Sequence, residues 1–214
     1  MDTIWQRITK WADRHSLSIQ LNPGASQAEI TRVEQALGLR FPDDFRAWLQ
    51  IHDGEDAQQG IRWLENGMRW LPVAQVLEQW QIQQTYYARW GEEDANDDQD
   101  ESRIRNVVYH PKRIPIAESD ADAWLWLDFT PGPTGIAGQV ITNITECDFL
   151  VLGSNFRAFL ARYVELLESG VYYYDADTYA QVIPQNLAAL HSGAVRQADF
   201  YRRLFPLEGD ITNA

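Results

Sequence analysis

The sequence predicts an α+β domain with a mainly antiparallel sheet and packed helices. Amphipathic helix patterns lie toward both ends, and strand patterns fill the middle. Consecutive strands are joined by short turns of the kind that make hairpins, the connection an antiparallel sheet uses. No strand leads into a glycine-rich phosphate loop, which argues against a nucleotide-binding α/β fold. At 214 residues, 45% hydrophobic and with nine Trp, nine Tyr and eight Phe, the chain can bury a substantial core.

The elements follow in order. Residues 3–15 place Ile4, Ile8, Trp11 and Ala12 on one helical face, with Trp5 beside them. "NPGAS" (22–26) breaks the chain. Ser26 with Glu29 three positions on predicts a capping box, and Ile30, Val33 and Leu37 continue at helical period to a stop at Gly38. A next helix starts with Asp43 or Asp44 as its cap, buries Phe45, Trp48 and Leu49, and is expected to stop at Gly54. "IRWLE" (61–65) and "MRWLP" (68–72) flank Asn66-Gly67 and predict a hairpin. Residues 73–90 predict a longer helix with Val73, Val76, Leu77 and Trp80 along one side. After an acidic stretch, "RNVVYHPKRIPIA" reads as extended chain interrupted by Pro111 and Pro115. "AWLWLDF" (123–129) and "AGQVITNIT" (137–145) predict a second hairpin around "TPGPTG", and "DFLVLG" a further strand. Ser154 is the expected cap of a helix to about Glu168, buried through Phe156, Phe159, Leu160, Tyr163, Leu166 and Leu167. The last 45 residues are mixed, with short helices expected near 185–191 and 194–204.

Charge narrows the function classes. The net charge is −13, and only Lys10 and Lys112 are lysines among 18 basic residues. Such a balance argues against a nucleic-acid backbone as ligand and favours a basic partner. The charge is uneven, because residues 91–102 hold seven of the 31 carboxylates and none of the basic side chains. No run of 18 apolar residues predicts a membrane span, and the start lacks the apolar centre of a signal peptide. Cys147 is the only cysteine, so no internal disulfide forms. A cytoplasmic location is expected.

Candidate chemistry is weak at each place it was sought. Asp94, Asn96 and Asp98 fit the first, third and fifth positions of a calcium loop, but Gln99 replaces its glycine and Arg105 its closing glutamate. His52, Asp53, Glu55 and Asp56 have the chemistry of a metal or acid–base cluster, yet they fall where a helix ends and hold one histidine. Gly153-Ser154-Asn155 lacks the second glycine of a nucleophile elbow. Cys147 is flanked by Glu146 and Asp148, which hold its thiol protonated. No catalytic residue, metal or cofactor is expected. Four tryptophans, Trp63, Trp70, Trp124 and Trp126, lie in predicted strands and read either as core or as a partner groove. Trp124 and Trp126 share one sheet face, with Leu125 and Leu127 on the other, so both faces need cover.

One family shares these motifs in this order. "NPGASQAEITRVEQALGLRFPDDFRAWLQIHDGED" resembles the N-terminal signature of the SUKH superfamily, of the type named for the yeast cell-wall assembly and glucan-synthesis regulator. The matching positions are Pro23 to Ser26, Leu37, Gly38, Phe41, Pro42, Phe45, Trp48, His52, Asp53 and Gly54. Pro111, Ile114, Pro115, Ile116, Asp128, Pro131, Gly135, Gly138, Gln139 and Val140 match the later half, and "FLVLGSNFRAFL" resembles the closing strand and helix. Arg113 stands where the family often has tryptophan. The resemblance implies one SUKH-like domain over 1–214, with a core at about 22–168 flanked by an N-terminal helix and a C-terminal helical extension.

The family has no established catalytic residues, and many of its bacterial members look like immunity proteins that bind and neutralise toxins. The resemblance therefore implies a non-enzymatic protein-binding domain, first as an immunity protein against a basic, nuclease-like toxin domain. The alternative is a regulatory scaffold that binds housekeeping or cell-wall-related proteins. Glu92, Glu93, Asp94, Asp97, Asp98, Asp100 and Glu101 are expected to steer the protein partner, and Trp63 and Trp70 to anchor it. Nucleic acid and membrane are not expected as partners.

Overall fold

The computed structural model describes residues 1–56, 60–90, 102–120, 123–143, 149–177, 180–193 and 196–207. The expected acidic steering residues, Asp94, Asn96, Asp98 and Gln99 of the calcium-like loop, and Cys147 lie outside them. The architecture is α+β. Helices α1 (Asp2–Arg14), α2 (Gln27–Leu37), α3 (Asp43–Ile51), α4 (Val73–Trp90) and α5 (Phe156–Glu168) surround a five-stranded sheet. That sheet comprises β3 (Arg69–Trp70), β4 (Arg113–Glu118), β5 (Trp124–Asp128), β6 (Gln139–Asn143) and β7 (Phe149–Gly153). It is a meander in sequence order with every pair antiparallel, so β3 and β7 are its edges. Two small antiparallel pairs accompany it: β1 (Leu21–Pro23) with β2 (His52–Glu55), and β8 (Tyr172–Asp175) with β9 (Gln181–Pro184). Short helices α6 (Leu187–His191) and α7 (Gln197–Leu204) follow.

One face of the sheet carries the main core. Leu125, Leu127, Leu150 and Leu152 pack there with Trp48, Phe156, Phe159 and Leu160, and the cluster runs from Ile4 in α1 to Phe205 after α7. The terminal extensions thus share the core of the middle. The opposite face holds a smaller cluster of Ile104, Trp126, Ile141 and Phe149, with Trp124 packed against it and stacked on Trp126. Both faces of β5 are covered, as its unbroken apolar run requires.

Local signals act as their chemistry dictates at several ends. Ser26 accepts from Glu29 N, while the Glu29 carboxylate accepts from Ser26 N at 2.7 Å, and Gly38 closes α2 at φ 68°. Other expectations need correction. The run at 61–65 does not pair with 68–72: Asn66 and Gly67 make the left-handed turn, but Arg62 bridges Gln181 instead, and β3 pairs with β4. Asn155, not Ser154, caps α5, its side chain accepting from Ala158 N at 2.8 Å. The β8–β9 hairpin was not expected, because three consecutive tyrosines and a terminal proline show no period-two alternation.

Candidate functional site

The acid-rich run "PDDFRAWLQIHDGED" holds the densest chemistry in the described chain, and the structure puts Asp44, His52, Asp53 and Glu55 to structural use. Pro42 stands at the cap position of α3, and Asp44, within its first turn, accepts from Phe45 N at 2.8 Å with one oxygen. Its other oxygen accepts from Arg157 N at 2.8 Å, satisfying an otherwise orphaned amide in the first turn of α5. Asp53 repeats the device, accepting from Val73 N at 2.7 Å at the start of α4. The helix dipole favours negative charge at both places, while burial raises Asp53 above its ordinary value.

Gly54 does not stop α3, which already ends at Ile51 as His52 turns into β2. The glycine has φ 70° and lies where a Cβ would fall 2.3 Å from Pro72 N, so the strand crosses the chain entering α4 at backbone contact. The His52 ring packs 4.2 Å from the Trp5 ring centroid and 5.7 Å from that of Trp48. Burial lowers its pKa, which favours the neutral ring. Among the described residues, no group of three His, Cys, Asp or Glu side chains could hold a metal ion.

Two further carboxyls lie inside the core. Glu55 and Glu65 are 6% and 5% exposed, enclosed with Trp63, Trp70, Tyr163 and Tyr172. Burial pushes both up to about 8; the Trp70 amide, donating to Glu55 at 3.3 Å, offsets this in part, as does the Tyr172 hydroxyl, which donates to Glu65. The second oxygen of Glu65 is buried without a partner, which a neutral carboxyl tolerates far better than a carboxylate. The Tyr163 hydroxyl donates to Trp63 O at 2.8 Å and is raised well above its ordinary range by burial and then by Glu65. These groups are sealed from solvent, so they hold the turn at 65–67 against α5 and β8 and offer no open acid–base site. Sequence reasoning missed Glu65, although a lone acid between the core tryptophans Trp63 and Trp70 is a readable sign of burial.

Arg113, the departure from the family pattern, is 1% exposed. Its guanidinium donates to Val107 O, to Val108 O at 3.3 Å and to Arg105 O at 2.7 Å. It lies 4.8 Å from the Phe149 ring centroid and 3.7 Å from Asp128, whose other oxygen accepts from Gln139 at 3.0 Å. An arginine here covers an aromatic ring, as a tryptophan would, and also binds the segment before β4 to the sheet.

Trp63 and Trp70 cannot anchor a partner. They are 0% and 1% exposed and pack on each other and on Trp48, because the sheet and α5 need large side chains there. Among the described residues, the large apolar side chains left on the surface are Ile82, Tyr86, Ile136 and Tyr173. Ile82 and Tyr86, 46% and 38% exposed, stand one turn apart on α4, with Tyr109 5.3 Å from the Tyr86 ring. On a helical wheel Ile82 falls opposite the buried Val73 with Tyr86 roughly 40° from it, and that second apolar phase was the available signal. Immediately after α4 come the acidic residues Glu92 to Glu101.

Comparison with known proteins now bears on the reading. A sequence model of the SMI1 / KNR4 family (SUKH-1) matches residues 24–162. The chain belongs to that family. The match takes in the run from Pro42 to Asp56, β3 to β7 and most of α5. Similar full-length members include the cell wall biosynthesis/cell cycle regulator of Schizosaccharomyces pombe, 29% identical over 187 residues, 81% of this chain and 37% of the relative. The glucan synthesis regulatory protein of Neurospora crassa is 28% identical, over 81% of this chain and 40% of its own length. The cell wall assembly regulator of Saccharomyces cerevisiae is 26% identical, with shares of 82% and 42%. The chain therefore spans about two-fifths of each of these relatives. All three SMI1 / KNR4 members are named as fungal regulators, which supports the regulatory expectation over the immunity-protein one.

Proposed function

We propose that this chain is a non-enzymatic, protein-binding regulatory domain, of the kind found in regulators of fungal cell-wall assembly and glucan synthesis. The observation that carries this reading is the match over four-fifths of the chain to proteins named as such regulators. The structure supports the mode of action: the acid–base side chains cap helices or lie sealed in the core, while Ile82 and Tyr86 stand open on α4. Apolar anchors beside a charged segment suit a contact surface, the apolar part contributing affinity and the acidic part steering. Glu92, Glu93, Asp94, Asp97, Asp98, Asp100 and Glu101 would supply the steering toward a basic partner. No helix of the described residues is long and apolar enough to cross a membrane, and a single cysteine suits the cytoplasm.

The test is a chimera in which this chain replaces the matching region of the fission-yeast relative, with wall glucan as the readout. Restored glucan supports the regulatory reading; a stably produced chimera that restores none contradicts it. The net charge of −13 supports a second reading, neutralisation of a basic toxin domain. Under that reading the chimera fails, and neutralising the seven acids slows association with the toxin.

A further inference from the structure

In a chain of net charge −13, one groove has a basic rim. It has a volume of about 540 Å³, and Arg103, Arg202 and Arg203 contribute its charge. Its apolar lining comes from Leu150 and Val151 of β7 and from Phe205 and Leu207 beyond α7. Successive residues of a strand point to opposite faces, so a groove that touches both Leu150 and Val151 lies along the strand's edge. The flanks agree: Phe205 belongs to the main core on one face, and Arg103 adjoins Ile104 of the smaller core on the other. β7 is an edge strand with no neighbour strand on its outer side among the described residues.

On α7, Asp199 lies 3.6 Å from Arg202 and 2.8 Å from Arg196 at the helix cap, and Arg203 is exposed on the same helix. Strand edges of this kind accept an added peptide through backbone hydrogen bonds, with alternate side chains settling on either face. Guanidiniums beside an apolar floor select acidic and aliphatic side chains in alternation.

We propose that the β7 edge is a docking groove for an extended acidic segment of a partner protein, laid alongside β7 as an additional strand. The proposal rests on the protein-binding reading above and names a contact distinct from the α4 face. Peptide carboxylates on the α7 side pair with Arg202 and Arg203, and peptide aliphatic side chains on the opposite side cover Val151.

The probe is a fluorescein-labelled peptide alternating Glu with Val, titrated against the full chain by fluorescence anisotropy, beside a control with Lys in place of Glu. The wild type should bind the acidic peptide and not the basic one. Arg202→Glu with Arg203→Glu, at exposed positions that leave the thermal midpoint unchanged, should weaken binding about tenfold or more. Peptide methylated on alternate backbone nitrogens should lose binding, and bound acidic peptide should slow amide exchange in β7. Equal binding by the reversed variant, or no binding by the wild type, overturns the proposal. Binding that emerges only with Glu208→Gln and Asp210→Asn also overturns it, since the chain's own C-terminal segment would then be the occupant. Carrying the arginine reversal into the chimera separates the two readings. If wild type restores glucan and the reversed chain does so equally, the groove is refuted and the regulatory reading stands.

Discussion

Two pairs of acids, close in sequence, are handled in opposite ways. Asp44 and Asp53 are half-buried and end on backbone amides of α5 and α4, and the Val73 amide offsets in part the rise that burial imposes on Asp53. Glu55 and Glu65 sit among core aromatics, where burial pushes both up to about 8 and favours the neutral form. Gly54 lies between Asp53 and Glu55, at the crossing that lets one reach outward and the other inward. A carboxyl therefore ends on a helix-start amide on one side of a glycine and is a neutral hydrogen-bonding group in the core on the other. Neither use requires a substrate, which is why an acid-rich run can be a fold signature.

The largest expected effect comes from opening the aromatic enclosure. Trp70→Ala should cost about 3–5 kcal/mol in urea unfolding and expose Glu55, returning its titration toward the ordinary carboxylate range. A loss below about 1 kcal/mol would mean that the enclosure does not hold the pair. Gly54→Ala comes next, at about 2–3 kcal/mol, from positive φ and the close approach to Pro72.

The pH dependence separates the two pairs most cleanly. A carboxyl near 8 in the folded state and near 4.5 in the unfolded state holds its proton better when folded. Its contribution is complete below the unfolded value and is lost as pH rises toward 8. Wild-type stability should therefore fall across pH 5–8 relative to Glu55→Gln with Glu65→Gln, by about 1 kcal/mol or more per pH unit. Parallel profiles would show that the two glutamates are already ionised in the fold. Smallest are Asp44→Ala and Asp53→Ala, each about 1 kcal/mol as for a lost helix cap. If the isosteric amides Asp44→Asn and Asp53→Asn recover most of that loss, hydrogen bonding rather than charge is the main contribution.

Legibility in the sequence followed the range of each interaction. The Ser26–Glu29 capping box and the β5–β6 hairpin were readable because their partners lie within one turn or in one alternating run. The caps supplied by Asp44 and Asp53 were not, since their acceptor geometry depends on helix starts 113 and 20 residues away. Trp63 and Trp70 misled as anchors because a strand pattern gives no measure of what covers it, and α5 covers both. Ile82 and Tyr86 were visible as a second apolar phase of α4, but that phase acquires meaning only once Val73 and Val76 face the core. The basic edge at β7 joins residues from 103 to 207, and no local pattern announces it.

The central claim is that the acids maintain the fold while the surface of α4 carries the function. Its most direct test measures wall glucan in the fission-yeast chimera carrying either Ile82→Asp with Tyr86→Asp or Glu55→Gln with Glu65→Gln, each at matched protein level. The account predicts that the α4 pair abolishes restoration with the thermal midpoint unchanged, and that the glutamine pair retains it. Restoration lost in the folded glutamine variant and kept in the α4 variant would contradict it.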